Sequence, residues 1–310
     1  MGSSVDVVIP IYKAGNDFAS MLEKLYKQSK RPEHIYLLQT IEKKDEKLFD
    51  IKKCSKELAD IISVHPIKKA DFDHGATRAY GALMAESDYV LFMTQDAVCY
   101  DEYVIENLLK AFDDRKVGIS YARQLAREDA DEIERMTRET NYPPESVVKT
   151  KKDEKRLGIK TYFCSDVCAM YRLDVYKKLG GFVKKTIFNE DMIMAYKEMQ
   201  AGFSVAYRAD AKVIHSHSYT CKQQFVRSFD LGVSQRQYHE IFDKISSEKE
   251  GADYAKKVIM YLMKKGKFIK TIYFMMQCGF RLIGYKLGKN YDKLPRKMVL
   301  ACTMNREYWK

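Results

Sequence analysis

The sequence predicts an α/β fold built on a mostly parallel sheet, and three observations predict it. From residue 5 to residue 121 short apolar runs alternate with helix-period segments. Strands joined by helical crossovers pair in parallel, with helices on both faces. Small, charged and metal-capable residues stand at the ends of apolar runs: in Asp71-Phe72-Asp73-His74-Gly75-Ala76-Thr77-Arg78, Thr94-Gln95-Asp96, Asn189-Glu190-Asp191 and His215-Ser216-His217. An open sheet of this kind keeps its ligand crevice at such ends. Lastly, basic charge gathers in residues 256–310, which sets that segment apart.

The first apolar run, residues 5–11, reads as a buried strand stopped by Pro10. Gly15-Asn16-Asp17 follows as a loop that also caps a helix over Phe18, Met21, Leu22 and Leu25. A second strand at residues 34–38, a helix through 48–59 and a third apolar run at 61–64, ended by Pro66, come next. A helix near residues 77–85 leads into a strand at 89–93, with Thr94-Gln95-Asp96 at its C-terminal end. A helix over 102–113 and a strand over 117–121 complete the alternation. Residues 127–158 are charged, contain Pro143-Pro144 and lack an apolar period, so they read as a mobile excursion beside the crevice. Strand character returns at 163–171, and Gly180-Gly181 is a turn after a short helix. Residues 192–201 are helical, and 205–207 and 212–217 extended.

At 310 residues the chain has length for one large core or two smaller ones. A composition of 46% apolar and 31% charged residues fits a globular protein rather than a disordered one. Seven scattered cysteines form no disulfide framework, so a reducing compartment is expected. No basic region precedes a long apolar run at the N-terminus, so no secretory signal is expected. The net charge of +11 is uneven: residues 256–310 hold fourteen Lys and Arg against two acids, leaving 40 against 41 in residues 1–255.

These motifs resemble those of the inverting family 2 glycosyltransferases, which have the nucleotide-sugar GT-A fold. Within that family the chain is similar to bacterial rhamnosyltransferases that use dTDP-L-rhamnose. The resemblance covers residues 4–240 and is carried by five pieces. They are residues 72–78, Tyr121-Ala122-Arg123-Gln124-Leu125, Gly180-Gly181-Phe182, Asn189-Glu190-Asp191 and Phe229-Asp230-Leu231-Gly232.

The family's usual Asp-x-Asp pair is here Thr94-Gln95-Asp96, which leaves Asp96 as the one carboxylate for a divalent cation, Mg²⁺ or Mn²⁺, facing the leaving diphosphate. His215 and His217 lie two apart on an extended segment and share a face. The resemblance places a metal-ligating histidine there, with His215 the better match. In the family's Glu-Asp pair the Asp is the general base, here Asp191, with Glu190 orienting acceptor or backbone. Helix capping is the alternative for either acid.

His74, Gly75, Arg78 and Gln95 fall on the donor-nucleotide side. Arg78 has the shape to pair with diphosphate oxygens, and Gly75 allows close backbone approach. Pro10, Tyr12 and Thr40 take the places of base and ribose contacts, and Arg123 and Gln124 face donor or acceptor sugar. After the second strand the family's run of acids is replaced by Gln39-Thr40-Ile41-Glu42. Cys164 and Cys168 with the two histidines make a poor zinc knuckle.

Between residues 256 and 289 apolar clusters alternate with lysines. The window 268–285 holds Lys270, Gln277 and Arg281, too many polar groups for a helix that barely spans. Amphipathic helices lying on an anionic membrane surface are expected instead, with packing on the catalytic domain or on a second copy as the alternative. No nucleic-acid-binding module is recognisable, so nucleic acid is not an expected partner. The expected division is a GT-A domain over residues 1–240 and a basic helical segment over 241–310.

The expected activity is inverting, single-displacement transfer of a deoxyhexose, L-rhamnose from dTDP-β-L-rhamnose. Its acceptor is a lipid-linked or growing cell-surface polysaccharide, met in the cytoplasm at the inner face of the cell membrane. A UDP-hexose donor on the same fold, and a non-catalytic nucleotide-sugar-binding scaffold, stay open. A nucleotidyltransferase would want a Gly-rich basic loop after the first strand, where this chain offers only Lys13-Ala14-Gly15.

Overall fold

Residues 3–243 and 248–310 are described by a computed structural model. Its first half follows the alternation of the sequence. Strands β1 (Val5–Ile11), β2 (His34–Ile41), β3 (Ile62–Lys68) and β4 (Tyr89–Met93) are separated by helices α1 (Phe18–Tyr26), α2 (Lys56–Ala59) and α3 (His74–Met84). They pair in parallel in the order β3-β2-β1-β4. Then come β5 (Val98–Cys99), α4 (Val104–Leu109), β6 (Val117–Leu125), α5 (Glu132–Asn141), β7 (Val147–Lys149) and α6 (Glu154–Leu157). After these follow β8 (Cys168–Arg172), α7 (Leu173–Lys178), α8 (Glu190–Gln200) and β9 (Ser204–Ile214).

The sheet continues beyond β4 as β8-β6-β9-β5, with β7 also pairing β9. Strand β8 runs antiparallel to both β4 and β6, whereas β6 and β9 are parallel. The second half of the sheet is therefore mixed. No single crossover helix separates β6 from β8, so nothing forces that pair to be parallel.

Side chains alternate between two cores, as the period of a strand requires. Val7, Ile9, Ile35 and Leu37 pack with Leu22 of α1 and Leu108 of α4. Val8, Leu38, Val90 and Phe92 face the other way, onto Ala82 of α3, Tyr176 of α7 and Met194 of α8. Neither proline ends its strand. The ladder from β1 to β4 stops at Val8, so Pro10 is asked for no donor on that side. Pro66 lies on β3, the edge strand, where a missing N–H is tolerated.

Two segments differ from the sequence reading. The helix expected at residues 48–59 is only a short turn at Ile51–Lys53 and the four-residue α2. The excursion at 127–158 is built rather than mobile. Asp131 caps α5 by accepting from the Glu134 N–H at 2.9 Å, Ile133 and Met136 face an apolar cluster, and β7 joins the sheet. Two apolar side chains in a charged helix are too few to show as a period.

The C-terminal part comprises α9 (Cys221–Gln237), α10 (His239–Phe242), α11 (Glu248–Lys264), α12 (Phe268–Lys289) and α13 (Arg296–Cys302). Helix α12 crosses α9 so closely that a Cβ on Gly284 or Gly288 would run into the Phe225 or Phe229 carbonyl. Thr303 Oγ1 and the Met304 N–H donate to the Asp230 carboxylate at 2.7 and 2.9 Å, tying the chain end back to α9. Among the described residues no helix is long and apolar enough to cross a membrane.

Glu198 of α8 is fully buried against Gly118, with neither carboxyl oxygen hydrogen-bonded. Burial pushes its carboxyl up to about 8, with Arg172 opposing and Asp174 adding to the shift. The group is thus protonated in the fold at pH values where the unfolded chain, with an ordinary Glu near 4.3, has released its proton. Stability therefore falls as pH rises from about 4 to 8. Glu198→Gln should raise the melting temperature by several degrees at pH 8 and leave it unchanged at pH 4, as calorimetry would show.

Candidate active site

Two clusters form at the crevice. The first begins where β4 ends. Asp96 Oδ2 lies 3.0 Å from His217 Nε2, and Oδ1 lies 3.5 Å from His215 Nε2. The two imidazole nitrogens are 3.0 Å apart, and one ligand atom from each residue falls within 4.8 Å of the others. Strand β9 ends at Ile214, and the His215 N–H still donates to the Leu125 carbonyl at 3.0 Å, which continues the pairing with β6 by one residue.

The tautomer of His215 follows from its neighbours. Arg138 has only donors and gives one to Gln124 Oε1 at 2.6 Å, so that atom is the amide oxygen. His215 Nδ1 lies 2.9 Å from the same oxygen and therefore carries the proton, which leaves the Nε2 lone pair turned toward Asp96. Burial pushes the His215 imidazole below its usual value, against the pull of Asp96. Burial also pushes the Asp96 carboxyl up, but the neighbouring His215 and His217 outweigh it and hold that carboxyl well below the usual range. A carboxylate and a neutral imidazole lone pair converging on one point fit a divalent cation.

The second cluster surrounds Arg78, which is 6% exposed. Asp73 caps α3 by accepting from the Gly75 and Ala76 N–H groups, and its other oxygen takes the Thr186 N–H at 2.8 Å. Arg78, one turn along, is 2.9 Å from Glu190 Oε1 and 3.6 Å from Asp166 Oδ2. Asp166 also accepts from the Tyr171 hydroxyl at 2.7 Å. Asp191 is the second residue of α8 and is half-buried; its Oδ2 lies 3.4 Å from the Asp166 N–H. The helix start is set by Asn189, a non-glycine residue at φ 66°, whose amide donates to Ser234 Oγ at 3.1 Å. Such a conformation persists only where its surroundings hold it.

Three carboxylates around one guanidinium leave excess negative charge. Burial pushes the Asp166 carboxyl up to about 7, Arg78 opposing and Glu190 adding. Burial, then Glu190, then Asp166 push Asp191 well above the usual carboxylate range. Burial holds the His74 imidazole low despite Glu190, 4.0 Å away.

Several residues read as ligand contacts have protein partners. Arg78 was expected to meet diphosphate, yet its guanidinium is taken by Glu190 and Asp166, its partners lying far along the chain. Gly75 makes its close approach to the Val183 carbonyl. Gln95 accepts from the Tyr12 N–H at 2.8 Å and donates to the Tyr12 carbonyl at 3.1 Å, clamping the loop after β1. Arg123 donates to the Tyr142 carbonyl at 3.1 Å, and Gln124 is buried behind His215. Thr40 is buried too, while Pro10 is half-buried at the end of β1.

Tyr12 stays exposed at the crevice mouth, where its hydroxyl donates to Glu42. Lys69 reaches Glu42 at 2.8 Å and Lys13 at 3.2 Å. Hydrogen bonds from Lys69, Tyr12 and Lys13 bring the Glu42 carboxyl down to about 2.

Asp166, Glu134, Arg138 and Arg227 were not foreseen. Asp166 sits in the turn before β8, a position that an acid ahead of a strand leaves unmarked. Arg227 lies on α9 with its guanidinium 4.7 Å over Phe188 and 5.5 Å over Tyr219, and Tyr219 stacks on His217 at 5.3 Å. Among the described residues it forms no ion pair. No pattern in the sequence distinguishes it from an ordinary helix arginine.

The profile of Glycosyl transferase family 2 matches residues 6–180. The O-antigen chain rhamnosyltransferase RfbN of Salmonella typhimurium is 35% identical over 98% of this chain and 96% of its own length. The O-antigen chain rhamnosyltransferase WbaN of Salmonella anatum is 35% identical over 99% and 96%. In fold the chain is similar to the mannosyltransferase PcManGT from Pyrobaculum calidifontis, solved in complex with GDP-Man and Mn²⁺, with a TM-score of 0.61 at 12% identity over 94% of this chain and 88% of that one. It is also similar to S. aureus TarS residues 1–349, with a TM-score of 0.52 at 12% identity over 94% and 91%. The chain belongs to glycosyl transferase family 2 and is a glycosyltransferase.

Proposed function

We propose that the protein transfers L-rhamnose from dTDP-β-L-rhamnose, with inversion, to a lipid-linked or growing cell-surface polysaccharide at the cytoplasmic face of a membrane. The observation that carries this reading is the end-to-end 35% identity to two O-antigen chain rhamnosyltransferases. In the displacement an acceptor oxygen bonds to the anomeric carbon as that carbon's bond to the diphosphate oxygen breaks. The acceptor proton goes to Asp191 and dTDP departs, which gives an α-linkage. Asp96, His215 and His217 would hold a divalent cation, and such a cation neutralises charge on a leaving diphosphate. Gln124 and Arg138 keep the His215 lone pair aimed.

Burial, Glu190 and Asp166 raise the Asp191 carboxyl well above the usual carboxylate range, which makes it a stronger proton acceptor once ionised. Arg78 acts from behind, holding Glu190 and Asp166 in place. The cation that meets the diphosphate is then Arg227, whose guanidinium has no carboxylate partner among the described residues and sits on the same aromatic stack as His217.

Release of nucleoside diphosphate from dTDP-L-rhamnose, UDP-glucose and UDP-galactose, each with Mn²⁺ and with EDTA, tests the donor. Turnover of dTDP-L-rhamnose alone, lost in EDTA, is expected; turnover of a UDP-sugar instead would discard rhamnose. Asp191→Asn should abolish turnover while nucleotide affinity stays within about twofold by calorimetry. A carboxyl raised in the fold reaches its basic form only at a pH above the usual carboxylate range. We therefore expect kcat/KM of the wild type to climb with pH above the ordinary carboxylate range, and Asp166→Asn to move that limb to lower pH. Arg227→Ala should weaken dTDP binding by about tenfold or more, with Arg227→Lys intermediate and the melting temperature unchanged. Equal dTDP affinity in Arg227→Ala would refute the assignment.

A further inference from the structure

We infer that the outward face of the α11–α12 hairpin docks on an anionic lipid bilayer, with α12 lying in the plane of the membrane. The docking does not rest on the donor assignment. Ile269, Ile272, Met276, Phe280 and Ile283 recur every three or four residues along α12 and are 41–86% exposed. That spacing lines one side of a helix. The opposite side is already occupied: Thr271, Phe274, Gly284 and Gly288 are buried. Phe274 packs with Val258 and Leu262 of α11, and the two glycines admit α9. Met260 and Met263, near the end of α11, are each about half exposed on the hairpin. Single exposed apolar residues are ordinary, but a continuous stripe over four turns marks an interaction surface. The helix is not apolar enough to span, so its apolar side has to be met from one direction.

Charge identifies the occupant. Lys256, Lys257, Lys264, Lys265, Arg281 and Lys286 are exposed on the two helices and form no ion pair among the described residues. A two-fold pair of copies meeting through this face would bring the same surface to itself, and so lysine against lysine. Anionic headgroups instead accept that rim while the acyl boundary takes the stripe.

The hairpin is also rigidly placed. Glu132 of α5 binds Lys267 and Lys270, and Thr137 hydrogen-bonds the Tyr254 hydroxyl. On the same helix Glu134 accepts from Ser216 Oγ at 3.2 Å and from the His217 N–H at 3.3 Å. One short helix thus joins the docking face to the His215–His217 segment, so a lipid-linked acceptor would reach the crevice from the plane of the bilayer. This last step does rest on the transferase reading.

Sedimentation of the full chain with phosphatidylglycerol–phosphatidylcholine vesicles, against pure phosphatidylcholine vesicles, tests the docking. Binding to the anionic vesicles at low ionic strength and little to the neutral ones is expected. The double variant Ile272→Asp, Met276→Asp should lower the partition coefficient at least about tenfold, with circular dichroism and turnover on a water-soluble acceptor unchanged. Lys264→Glu, Lys265→Glu alters only exposed side chains and should do the same if the apolar pair proves unable to fold. Absence of binding to anionic vesicles, or equal binding by both variants, would overturn the inference. So would a dimer in solution that Ile272→Asp, Met276→Asp splits without any change in vesicle binding, because the face would then belong to a second copy. Loss of docking with turnover intact separates this from failure of the transferase reading, which removes turnover on every acceptor.

Discussion

The buried guanidinium of Arg78 is the constraint on which the crevice depends. It comes from α3 and meets acids from the turn before β8 and from the first residue of α8, so it fastens three pieces of chain at one point. Removing one partner of a buried pair leaves the other charge unpaired, at a cost of about 3–5 kcal/mol. The pair also cannot be replaced by a better-balanced one. Asp166, Glu190 and Asp191 carry three carboxyls to one cation, and like charges this close cannot all ionise. The cluster must keep a proton near neutral pH. The general-base role proposed for Asp191 draws on that imbalance.

Under the proposed function, the same imbalance favours Arg227 over Arg78 as the partner of a diphosphate. A guanidinium already facing carboxylates, as Arg78 faces Glu190 and Asp166, is a poor partner for another anion. Arg227 forms no ion pair among the described residues and is held by rings instead, over Phe188 and Tyr219. A ring face attracts a cation without neutralising it. Its charge therefore remains available to a ligand. Tyr219 in turn stacks on His217, which brings this cation and the Asp96–His215–His217 triad into one continuous wall.

What the sequence made legible was local. β1, β2 and β4 show in apolar runs, and Asp96, Asp191 and the two histidines show because each ends or begins an element. The placement of these residues could be foreseen; the employment of their neighbours could not. Gln124 and Gln95 both sit in motifs, yet one aims a histidine and the other clamps a backbone. Each role depends on a partner far along the chain, which spacing does not encode. Asp166 is the strongest case. It perturbs Asp191 more than any residue near it in sequence except Glu190, and nothing about Ser165-Asp166 announces this. Antiparallel entry of β8 was hidden for the same reason, since an alternating pattern says what is a strand but not which neighbour it will find.

Charge misled in one place and informed in another. The excursion at 127–158 looked unstructured because it is charged, but its charges are what fix it. Glu132 is spent on Lys267 and Lys270, Glu134 on Arg138 and the His217 backbone, and Arg138 on Gln124. A solvated charge run and a set of specific ion pairs have the same composition; only the partners tell them apart. In the C-terminal helices the reverse holds. There Lys256, Lys257, Lys264, Lys265 and Lys286 form no ion pair among the described residues, and the apolar stripe of α12 is exposed beside them. Unspent charge beside unspent apolar surface requires a partner that satisfies both at once, and a bilayer interface has both parts in the right order of depth.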